Sequence, residues 1–152
     1  MTRTTPHPLL NESLADAARR RGVFGEVQLE GSRLRCAARD SAAEAFYALE
    51  VVEGGLAVSL ATADRWLSES IESDLMHHGD PLEELVSEEL AELGVEVDPD
   101  SLVVRHYRSD DRLYTFLTPL PAGVSADLAL TYLLAYEAAF RGLGDMTDDG
   151  EE

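Results

Sequence analysis

Residues 45 to 61 constrain the fold more than any other stretch of the chain. In Ala45–Val52, Tyr47, Leu49 and Val51 alternate with Phe46, Ala48 and Val52. Successive side chains of a strand point to opposite faces, so both faces of this strand are apolar. Glu53-Gly54-Gly55 supplies a tight turn, and Leu56, Val58 and Leu60 return antiparallel with the small residues Ala57, Ser59 and Ala61 opposite. A strand of this kind is either central and covered on both sides, or it offers one face as an interface.

The flanking patterns build a domain around that hairpin. Val27 and Leu29, then Leu34 and Cys36, alternate on either side of Glu30-Gly31-Ser32 and extend the hairpin to a meander. Ahead of it, Asn11 caps a helix over residues 12–21, with Leu10, Leu14, Ala17 and Ala18 as its apolar stripe and Gly22 beyond its end. Arg19, Arg20 and Arg21 fill its last turn, where the helix dipole favours cations. After the meander the period changes: Leu67, Ile71 and Leu75 recur every fourth residue, so residues 64–76 read as a helix capped by Thr62 or Asp64 and ended by Gly79. Asp80-Pro81-Leu82-Glu83 opens another helix, with Asp80 as N-cap and Pro81 at the first helical position. Leu82, Leu85, Val86, Leu90 and Leu93 are its buried stripe. Residues 102–108 and 113–118 form a second hairpin around Ser109-Asp110-Asp111, stopped by Pro119 and Pro121. Ser125 caps a long last helix with the stripe Leu128, Tyr132, Ala135, Tyr136, Ala139 and Phe140. The expected architecture is α+β: an antiparallel sheet of meander plus second hairpin, packed by N-terminal, central and long C-terminal helices. One domain spans residues 9–144, between a flexible start (1–8) and an acidic tail (145–152).

Charge narrows the function classes. The chain has 30 acids against 12 basic residues, a net charge of −18, and every basic residue is arginine. The absence of lysine excludes Schiff-base, P-loop and kinase chemistry that depends on that side chain. An arginine- and alanine-rich, lysine-free composition is what a GC-rich bacterial genome encodes. Discounting the five acids of the last eight residues leaves −13, so the acidity belongs to the folded body. Nucleic-acid binding and anionic membranes are disfavoured, since both need a basic footprint. The N-terminus has no apolar core of a signal peptide and no stretch is long enough to span a bilayer, so the cytoplasm is the expected compartment.

Few residues suggest chemistry. The densest polar cluster is Asp74-Leu75-Met76-His77-His78-Gly79-Asp80. His77, His78 and Asp80 are candidate metal ligands, but adjacent helical residues point about 100° apart, which argues against one site built from them alone. His106, on a strand, could act as a general base with a remote carboxylate. No GxSxG elbow or GxGxxG fingerprint is present. The expectation is therefore no catalytic centre and no cofactor, with a His77/His78/Asp80 or His106 enzyme as the alternative. Cys36 should lie on the strand face opposite Arg33 and Arg35, as a small buried residue. Trp66, the single tryptophan, reads as a core anchor that could instead serve recognition, with Phe46, Tyr132 and Tyr136 as further candidate protein contacts.

The element order, together with Arg112-Leu113-Tyr114-Thr115-Phe116-Leu117-Thr118 leading through a short linker to Leu133-Leu134-Ala135-Tyr136, resembles the YbjN-like proteins and the type III secretion chaperone-like fold they share. The pattern covers residues 9–144, with two central helices where that group usually has one. The resemblance implies a non-enzymatic binder, often dimeric, that holds a partly unfolded protein segment or acts in regulation. The expected partner is accordingly a protein, with the chain itself a homodimer.

Overall fold

The computed structural model describes residues 8–30, 32–39, 41, 43–52, 55–79, 81–109 and 112–146. Helix α1 (Glu12–Arg21) leads into β1 (Phe24–Glu30), β2 (Arg33–Ala38), β3 (Ala45–Val52) and β4 (Gly55–Thr62). Two helices follow, α2 (Arg65–His78) and α3 (Leu82–Glu92), then β5 (Arg105–Arg108), β6 (Tyr114–Pro119) and α4 (Ala126–Arg141). Short 3-10 turns occupy Pro99–Ser101 and Gly144–Met146. The strands form one antiparallel sheet in the order β1-β2-β3-β4-β6-β5, giving the α+β architecture.

Local chemistry fixes the helix ends. Asn11, Asp64 and Ser125 each accept the backbone N–H three residues on, from Leu14, Leu67 and Leu128 respectively. Gly22 and Gly79 end α1 and α2 in the left-handed region. Helix α2 runs two residues past the predicted Met76, to His78. Helix α3 begins at Leu82 with Pro81 in the capping position and no side-chain cap bond; the expected cap, Asp80, lies outside the described residues, as do residues 53–54 and 110–111 of the predicted turns.

The second hairpin joins the meander through its later strand. β6 pairs with β4 while β5, among the described residues, pairs only with β6 and becomes the sheet edge. Burial explains the order: Thr115, Phe116, Leu117 and Thr118 are all buried, whereas every residue of Arg105-His106-Tyr107-Arg108 is exposed. A central strand needs two covered faces, and only β6 has the composition for it.

The helices pack on one face of the sheet. Their buried side chains, among them Leu14, Ile71, Val86, Leu133 and Phe140, form one core with Leu34, Tyr47, Leu49, Val58, Leu60 and Phe116. Tyr136 sits within it, its hydroxyl 2.6 Å from that of Thr118. Cys36 is buried on the same side, away from Arg35, and desolvation pushes its thiol up to about 12. On the opposite face Phe46, Ala48 and Ala61 cluster with Leu113, and among the described residues no helical side chain joins them. The guanidinium groups of Arg35 and Arg33 cover the Phe46 ring instead, at 4.1 and 5.3 Å from its centroid. The folded body extends past the expected boundary at residue 144: Met146 is buried, and the Gly144 N–H donates to Asp74 Oδ2 at 2.7 Å. Residues 147–152 of the predicted tail lie outside the described residues.

Candidate binding site at the α2–β5 edge

Helix α2 meets the edge strand β5 at His106. Its buried stripe is Leu67 and Ile71, with Leu75 partly buried against the same core. Trp66 and Met76 stand five residues before and after Ile71, so at 100° per residue each points about 140° away from the centre of that stripe, and they are 74% and 83% exposed. Trp66 is thus a surface residue rather than the expected core anchor. It stands about 16 Å along the helix axis from His77, at 1.5 Å per residue, so it shares no site with the histidines.

One residue ties strand to helix. The His106 ring stacks on Phe116 with centroids 3.9 Å apart and planes at 6°. Its Nδ1 lies 3.1 Å from Glu72 Oε2 and its Nε2 3.3 Å from Ser68 Oγ. A carboxylate only accepts, so Nδ1 carries the proton in the neutral ring and Nε2 accepts from the Ser68 hydroxyl. Burial lowers the His106 pKa from its ordinary value, and the nearby Glu72 charge only partly offsets this. The neutral form therefore suits the folded site.

The order of groups, hydroxyl, imidazole, carboxylate, matches the relay of a nucleophilic hydrolase. The access does not. Ser68 is 1% exposed, and the adjoining groove is lined by His106 and Glu72 but not by Ser68. A nucleophile must reach a substrate carbonyl at about 3 Å, and an enclosed hydroxyl on a helix cannot. The three groups act as a latch holding β5 to α2.

That groove has a volume of about 320 Å³ and is lined mainly by Leu75, Met76, Leu82, Val104 and Phe116, with Glu72 and Glu83 alongside His106. Beside it, among the described residues, no strand pairs with the outer edge of β5. Ser109 N–H donates to the Leu113 carbonyl at 2.8 Å. Bonded and non-bonded pairs alternate in an antiparallel ladder, so Tyr107–Thr115 and Arg105–Leu117 are the bonded pairs. The backbone N–H and C=O of His106 and Arg108 consequently point away from the sheet. The other edge is blunted: β1 has a register shift between Phe24 and Val27, and Arg19 donates to the Val27 carbonyl at 3.0 Å.

The remaining candidates fall elsewhere. Tyr132 and Tyr136 are core residues of α4, and Phe46 lies beneath Arg33 and Arg35; none of the three presents an accessible ring. His77 is exposed, its Nδ1 3.1 Å from the Ser73 carbonyl in its own helix. The side chain of His78, and Asp80 entirely, lie outside the described residues. Among the described residues no three His, Cys, Asp or Glu side chains converge as metal ligands. Among them, too, no helix is long and apolar enough to cross a membrane. No protein family, curated protein or solved structure matches this chain.

Proposed function

We propose that the protein is a non-enzymatic protein-binding module, chaperone-like or regulatory, that engages its partner at the α2–β5 edge. The observation that carries this reading is the conjunction of an apolar groove with exposed Met76 and an unpaired strand edge beside it. Of the six large apolar side chains exposed among the described residues, Trp66 and Met76 stand on α2 and Val103 and Tyr107 on β5 and its approach, while Val51 and Leu93 lie on β3 and at the end of α3. Exposed apolar side chains next to a backbone edge unpaired within the sheet are what protein recognition by strand addition uses. The acidic body keeps such a surface soluble and opposes wrong partners. The likeness in element order to the YbjN-like and secretion-chaperone group belongs to the same proposal.

The test is the size of the complex formed in native extracts by the intact protein and by Met76→Glu. Met76 is 83% exposed, so the substitution should change folding stability by no more than about 0.5 kcal/mol. The intact protein should elute with a partner polypeptide and the variant without it. Co-elution of the same partner with both proteins would overturn the assignment.

A further inference from the structure

We infer that the partner segment docks as an added strand on β5 and alternates apolar with acidic residues; this rests on the proposed α2–β5 binding site and specifies its ligand. The geometry sets the alternation. Side chains of an added strand point to the two sheet faces in turn. Those on the helix side meet Met76, Leu82 and the rest of the apolar groove. Those on the opposite side meet Arg105 and Tyr107, because Arg105 pairs with Leu117 and Tyr107 with Thr115, whose side chains lie on the helix-free face.

Charge selects the occupant. The chain carries −18 overall, yet β5 reads Arg-His-Tyr-Arg and contains no acid. Among the described residues Arg105 has no carboxylate within ion-pair distance, and Arg108 leans over the Tyr114 ring, 5.7 Å from its centroid. A hollow of about 560 Å³ opens on the helix-free side of this edge, lined by Val52, Arg105, Tyr107, Leu117 and Pro119 with His106. It gives room for a carboxylate-bearing side chain next to the guanidinium. A second copy is the poorer occupant. Two β5 strands paired edge to edge would gather four arginines onto two four-residue strands, and like charges facing across a ladder destabilise it.

The experiment uses synthetic octapeptides with leucine or valine at alternate positions and aspartate, serine or lysine between them, titrated into the full chain. The aspartate peptide should bind, and the lysine peptide should bind about tenfold more weakly, the effect expected when partly exposed arginines meet the wrong sign at several positions. The variant Arg105→Glu should reverse that preference. Backbone N-methylation at every second residue of the aspartate peptide should abolish binding, and the unmodified peptide should slow hydrogen exchange at the His106 and Arg108 amides. Equal binding of the aspartate and lysine peptides, or binding indifferent to N-methylation, would overturn the inference. If no octapeptide protects β5 while the Met76→Glu variant still loses its partner, strand addition fails and the binding site itself stands.

Discussion

His106 Nδ1 lies 3.1 Å from Glu72 Oε2, which joins an edge strand to a helix begun 41 residues earlier in the chain. The opposite ring nitrogen faces the hydroxyl of Ser68, so one imidazole holds two positions of α2 that are a helical turn apart. The sheet edge at β5 is thereby held from within. Its backbone is presented in a set position rather than left to fray.

The latch should weaken in acid. The folded-state pKa of His106 is lowered, chiefly by desolvation, so the unfolded chain binds its proton more readily than the native one. The stabilisation is fully present above the ordinary histidine value of about 6.5 and is lost as pH falls through the lower folded value. Denaturant unfolding across this range should show the intact protein losing stability below pH 6.5 and His106→Asn losing less. At neutral pH the variant should itself be less stable by about 1 kcal/mol, because the enclosed Ser68 hydroxyl loses its acceptor. Identical pH profiles for the two proteins would remove His106 from this role.

Gly144 should tolerate no side chain. Its φ is +51°, and a Cβ there would stand 2.5 Å from Ser70 Oγ and 2.6–2.7 Å from the backbone of Ser70 and Ile71. The flexible hydroxyl could turn aside, but the α2 backbone could not. Gly144→Ala should therefore destabilise the protein by about 2 kcal/mol or more, combining left-handed strain with a backbone clash. Gly142, where a Cβ meets nothing within 4 Å, is the control. Thermal unfolding of Gly142→Ala should stay close to that of the intact protein.

Tyr136→Phe should lower stability by about 1–2 kcal/mol without changing the fold, since it leaves the buried Thr118 hydroxyl unpartnered. The double variant with Thr118→Val should recover much of the loss, because removing both polar groups is cheaper than stranding one. A double-mutant cycle by chemical denaturation measures the coupling.

Much of this fold was legible in the sequence because the patterns are local. The alternation in Ala45–Ala61, the caps at Asn11 and Ser125, and the four-residue recurrence of Leu67, Ile71 and Leu75 each declare an element within a few residues. Even the exposure of Met76 follows from its place five residues after Ile71, about 140° around the helix from the centre of that stripe. The pairing of β4 with β6 was not spelled out by any local pattern, although the polar Arg105-His106-Tyr107-Arg108 against the apolar β6 contains the reason. The latch was less legible still. Ser68 and Glu72 share a helix face by their spacing of four, but nothing near them points to a histidine 34 residues beyond Glu72. A lone tryptophan suggests a core anchor, but Trp66 precedes Ile71 by five residues and so points about 140° away from the centre of the buried stripe. Tyr132 and Tyr136 were legible as a stripe, and the sheet beneath α4 takes them as core.

The central claim is that the α2–β5 edge is where a protein partner sits. Its most direct test is a photoreactive cross-linker placed at position 76, compared with one at position 88 on the exposed side of α3, irradiated in the native cell. A discrete covalent adduct with a polypeptide partner is expected from position 76 and none from position 88. No adduct at position 76, or the same adduct from both positions, would contradict it.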